Sequence, residues 1–132
     1  MVQAGAELLI DKAHIKHGNR FFKDRFDVKG KIELGEVSNG IDVLNEDLIV
    51  TFDDFSETIP AGSFFRIGKG FLYIGSLGGI TLISIKDNED FSVLVTGVDV
   101  NINLNEPVFF SLQIGNDLGE TEIQFNNNGH FH

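Results

Sequence analysis

The chain has 132 residues, a formal net charge of −10, fifteen Gly and thirteen Phe, and neither Cys nor Trp. That length fits one domain, and 42% hydrophobic residues is too many for a disordered acidic tail. Without Cys there are no disulfides, thiolate nucleophiles or thiolate zinc sites, and the acidic balance argues against nucleic acid, whose binding depends on Lys and Arg neutralising phosphates.

Residues 6–17 give the first predicted strand. The segment 26–34 has the clearest pattern: Phe26, Val28, Gly30, Ile32 and Leu34 alternate with Asp27, Lys29, Lys31 and Glu33. A strand with one face in a core and the other in water accounts for this period of two. Residues 35–47 are the longest stretch without strand character, and 36–47 have room for one helical turn. Strands follow at 48–52 and 55–59, joined by Asp53-Asp54 in a tight turn, and then at 64–67, 71–75, 80–85 and 91–96. Val98, Val100, Ile102 and Leu104 alternate with Asp99, Asn101 and Asn103, which predicts a strand over 98–104. Segments 108–114 and 121–125 complete the series. Turn clusters separate them: Pro60-Ala61-Gly62, Gly78-Gly79, 87–90, Asn105-Glu106-Pro107 and 116–119. The helical period is nearly absent. The chain therefore reads as a single all-β domain over 1–132, an antiparallel β-sandwich of about eight to ten short strands, with a β-barrel as the alternative. A loose C-terminal tail is expected from about residue 126.

The Phe residues fall mostly on the inward parity of these strands and form the expected core. The pairs Phe21-Phe22, Phe64-Phe65 and Phe109-Phe110 differ, because adjacent side chains on a strand point to opposite faces. One member of each pair must face away from a single core. An apolar edge at 91–95, able to pair with a second copy, is a further expectation, and it leaves both a monomer and a weak homo-oligomer open.

Charge is unevenly placed. Residues 1–36 carry seven basic groups and six acids, whereas the other 96 carry three and fourteen. Strands distant in sequence mix in space, so the fold is free to erase this asymmetry. The first residues lack a basic n-region and a long apolar core, and no run approaches the roughly 20 residues of a membrane span. No membrane insertion is expected.

Catalytic motifs are missing. Ile74-Gly75-Ser76-Leu77-Gly78 fails the nucleophile-elbow pattern, and neither Gly68-Lys69-Gly70 nor 75–79 matches a phosphate loop. Such glycines suit turns and bulges. His130 and His132 share parity, as a metal clip would require, but they fall in the expected loose tail. The paired acids Asp53-Asp54, 87–90 and Glu120 with Glu122 fall in turns or on polar faces, where solvation explains them. Calcium has a better candidate. Glu36, Asn39, Asp42, Glu46 and Asp47 supply hard oxygen ligands within a dozen residues, in a spacing unlike an EF-hand. No other cofactor is expected.

Several segments occur in an order that resembles a known kind of module: 26–30, Ser38-Asn39-Gly40-Ile41-Asp42, 46–50, Thr58-Ile59-Pro60-Ala61-Gly62-Ser63-Phe64, and 107–119. They are similar to a β-rich, repeat-type domain of large uncharacterised secreted or surface-exposed bacterial proteins. The resemblance implies a non-enzymatic structural or interaction role, with an unknown protein or glycan as partner. It implies an extracellular or cell-surface location within a longer protein, a cytoplasmic one being the alternative. Two other functions remain open on the residues: a carbohydrate-binding module with or without calcium, and a small β-barrel enzyme or ligand carrier. No catalytic residue is assigned.

Overall fold

The computed structural model describes residues 4–16, 24–34, 43–53, 55–75, 78–86, 90–98, 106–115 and 117–126. Ten strands run through them: β1 (Ala4–Lys16), β2 (Asp24–Leu34), β3 (Leu48–Phe52), β4 (Phe55–Ile59), β5 (Phe65–Ile67), β6 (Gly70–Ile74), β7 (Gly79–Ile85), β8 (Asp90–Val98), β9 (Val108–Ile114) and β10 (Asp117–Ile123). The described residues contain no helix, so none is long and apolar enough to cross a membrane.

Hydrogen bonding links the strands in the order β4-β3-β9-β10-β1-β2-β8-β7-β6-β5. All pairings are antiparallel except a short parallel one, in which Ala4, Gly5 and Ala6 of β1 meet Asp117, Leu118 and Gly119 of β10. Three strands separate β3 from β2 in this order. At about 4.8 Å per strand, a flat sheet would hold their side chains nearly 20 Å apart. Yet the Phe26 and Phe52 rings stack with centroids 3.8 Å apart, and Phe91 of β8 stacks on Phe110 of β9 at 6.1 Å. The sheet therefore folds over on itself at β1. It makes two antiparallel layers that do not close into a barrel, a β-sandwich. One layer is β4-β3-β9-β10 and the other is β1-β2-β8-β7-β6-β5.

The alternation in the sequence sets what lies between the layers. Phe26, Val28, Leu48, Val50, Phe52, Val93, Val95 and Phe110 are fully buried there, each contributing about 1.5–3 kcal/mol by leaving water. Phe64 is buried while Phe65 is exposed, and Phe110 is buried while Phe109 is exposed, as strand parity requires. Phe21 and Phe22 lie outside the described residues.

Several expectations are corrected. The segment 91–95 is not an edge, because β8 lies between β2 and β7; among the described strands the two edges are β4 and β5. An inner strand of an antiparallel layer alternates in the same way as an edge strand, so periodicity alone does not separate them. The last strand begins at Asp117, not at 121, because Ile114 pairs with Asp117 across a two-residue turn. Of the expected 98–104 strand, Val98 closes β8, and 99–105 lie outside the described residues. So does the tail from 127 onward. Between 43 and 46 the chain forms a turn instead of a helix.

Candidate functional site

The outward side of the six-stranded layer follows from its register, since directly paired residues share a face. One row runs from Lys12 on β1 to Lys29 on β2, Ser92 on β8, Ser84 on β7, Leu72 on β6 and Phe65 on β5. A parallel row reads His14, Asp27, Leu94, Leu82 and Ile74. The outer face thus grades from charge, through hydroxyl, to hydrocarbon. The hydrocarbon end is open: Phe65 is 45% exposed, Ile67 55% and Ile74 61%. On the other side of the β5 ribbon, the Arg66 guanidinium lies 5.2 Å from the centre of the Phe71 ring, a cation–π contact that covers part of that ring.

Because β1 pairs with β2, Lys12 of β1 stands directly beside Lys29 of β2. Lys12, Lys29 and Lys31 are all exposed, and Lys29 and Lys31 face Ser92 and Asp90 of β8.

Two hollows lie side by side on this face. The larger, about 540 Å³, is lined by Ile67, Lys69, Gly70, Phe71, Leu72, Ser84, Ile85 and Lys86. The smaller, about 350 Å³, is lined by Asp11, Lys29, Gly30, Ser84, Lys86, Asp90, Phe91 and Ser92. Ser84 and Lys86 belong to both. At Gly70 a Cβ would stand 2.7 Å from the Ile85 carbonyl oxygen, so β6 approaches β7 this closely only at glycine. Of the turn and bulge roles expected for such glycines, Gly68 takes the turn: Gly68-Lys69 joins β5 to β6. Ser84 and Lys86 line the same hollow as Lys69 although they are distant in sequence, because the pairing of β6 with β7 brings them together.

Of the five residues of the candidate calcium loop, Glu36, Asn39 and Asp42 lie outside the described residues. Glu46 and Asp47 lie just before β3. Asp47 Oδ1 accepts a hydrogen bond from the Ala61 backbone N–H at 2.7 Å, and its carbonyl oxygen accepts one from Gly115 N–H at 3.0 Å. The half-buried Glu46 carboxylate packs where a Cβ on Gly115 would be. These two acids therefore tie the turn before β3 to the Pro60–Gly62 and Gly115 turns. Among the described residues, no group of three or more His, Asp or Glu side chains converges to hold a metal ion.

The outer side of the four-stranded layer is different. Phe109, 38% exposed, faces Glu122 across the β9–β10 ladder, and two residues along the same face Ser111 sits between Thr51 and Glu120. Thr51 and Ser56 join their hydroxyls at 3.3 Å. Comparison with protein-family models, curated proteins and solved structures returned no match, and the geometry of the two outer faces carries the functional reading.

Proposed function

We propose that this chain is a non-catalytic structural or interaction module of a bacterial extracellular or cell-surface protein, which meets its partner with the outer face of the six-stranded layer. One observation carries the reading. Phe65, Ile67 and Ile74 are exposed together on the β5–β6 hairpin, at the free edge of the layer, and apolar groups grouped this way mark contact surfaces more often than bare solvent-facing skin. The extracellular setting is supported by the resemblance of 38–42 and 58–64 to modules of surface proteins. In a test, the purified chain turns over no member of a glycoside and ester panel, and binding of its partner is lost in F65E/I74E. Turnover abolished by Asp42→Asn would overturn the reading.

A second reading, a carbohydrate-binding module with or without calcium, is favoured by Phe109 opposite Glu122. An exposed ring beside a carboxylate offers a sugar both a flat apolar surface and hydrogen-bond acceptors. Retention on a glycan array that disappears in Phe109→Ala supports it, and a rise in Tm on adding calcium supports the calcium-bound form. Glycan-array silence counts against it.

A further inference from the structure

We infer that the hollow between Lys69 and Lys86 binds an amphiphilic anion, a hydrocarbon body carrying one acidic head group. The inference rests on the reading of this face as the contact face and names the chemistry of what it takes.

Charge is the first argument. In a chain with 20 acids and 10 basic groups, this hollow is lined by two lysines and no described carboxylate. The sign of its described lining is opposite to that of the protein as a whole. Two ammonium groups on a depression otherwise lined by uncharged residues select an anion and repel a cation.

Shape and polarity are the second. The outward-facing apolar side chains of the lining are Leu72 and Ile67, while Phe71 and Ile85 turn toward the core, so a ligand that covers Leu72 and Ile67 releases water from hydrocarbon and gains affinity without needing charge. The lysine stems run along such surfaces while their ammonium groups stay in water, which puts the head-group position at the rim. A volume of about 540 Å³ falls in the range of roughly 300–1,000 Å³ found for small-molecule sites.

The neighbouring hollow sets the direction. There Asp11 and Asp90 accompany Lys29 and Lys86, so a second negative charge is disfavoured on that side. A neutral or hydroxylated extension toward Ser84 and Ser92 is tolerated. The ligand therefore has a single acidic head beside Lys69 and Lys86 and its hydrocarbon over Leu72.

The test is an ¹⁵N NMR titration of the full chain with decanoate, kept below its micelle concentration. Decyltrimethylammonium serves as the same tail with opposite charge, and acetate as the head alone. Decanoate is expected to shift the amides of Gly70, Leu72, Ser84 and Lys86. K69E/K86E is expected to weaken binding about tenfold, its own spectrum reporting that it is folded. Acetate and decyltrimethylammonium are expected to bind at least about tenfold more weakly. Equal binding of the two decyl compounds, shifts centred elsewhere, or indifference to K69E/K86E would each overturn the assignment. If an acidic, hydrophobic peptide moves these amides and decanoate does not, the small amphiphile is excluded while the β5–β6 face stands as the contact face.

Discussion

Glu57 on β4 accepts a hydrogen bond from the Ile80 backbone N–H on β7 at 3.2 Å. The two strands lie near opposite ends of the hydrogen-bonded order, so this contact runs between the layers instead of along one. It falls at the irregularity in register between Ile80 and Leu82 where β7 meets β8, and there Glu57 supplies an acceptor. Glu57→Ala is expected to lower stability by about 1–2 kcal/mol, the cost of leaving a part-buried amide without that acceptor. Glu57→Gln, which keeps a carbonyl oxygen, should restore most of it. Urea unfolding of the two variants measures the difference.

Phe52 is fully buried and makes edge contacts with Phe110 and Phe125 as well as its stack on Phe26. Truncating it to Ala removes contacts to both layers at once, with an expected loss of about 3–5 kcal/mol. Phe65→Ala on the exposed edge should change stability by no more than about 0.5 kcal/mol. Equal losses in thermal or urea unfolding would contradict the assignment of Phe65 to the outer face.

This contrast also shows how far the sequence carries. Alternation marked Phe52 as inward and required one of Phe64 and Phe65 to face away, since each strand's parity fixes which side chains share a face; the structure shows which one. Alternation also gave 48–52, 55–59 and 108–114 the bounds they have as β3, β4 and β9. Pairing order was not legible. Nothing local says that β1 runs parallel to β10 or that β8 is an inner strand, because alternation records that a face is buried but not which strands lie alongside it. The hollow was hidden for the same reason: Lys69 precedes β6 and Lys86 follows β7, and only the pairing of those strands brings them together. Of the candidate calcium loop, the acids themselves were evident, but the use of Asp47 as acceptor for Ala61 depends on a turn thirteen residues further on brought back beside it.

Gly68 and Gly115 form a controlled pair. Their φ angles are +58° and +59°, so alanine meets the same left-handed strain at both, about 1–2 kcal/mol. Their surroundings differ. A Cβ at Gly68 meets nothing within 4 Å, whereas one at Gly115 collides with the Glu46 carboxylate. Gly115→Ala should therefore cost more than Gly68→Ala. Adding Glu46→Ala should remove much of the excess at Gly115 and none at Gly68, a coupling that a double-mutant cycle reads directly.

Asp47 offers a fourth test. Its carboxylate takes the Ala61 amide at 2.7 Å, so Asp47→Ala should cost about 1–2 kcal/mol. Asp47→Asn retains an acceptor oxygen and should cost less than half of that. Chemical denaturation separates the two, and repeating it with 1 mM calcium asks whether the cation changes the ranking.

The shared strand β1 has a consequence for how the molecule assembles. Its first residues meet β10 and its remainder meets β2, so the seam between the layers closes only when chain near residue 5 finds chain near residue 118. Sheet contacts of such long sequence separation carry a large closure entropy and slow folding. During synthesis the β1–β2 hairpin emerges early, but its free flank waits for the β9–β10 hairpin. Folding of this sandwich is therefore timed by its last hairpin, and a stalled chain would present the unfilled flank of β1 as a ready template for another strand.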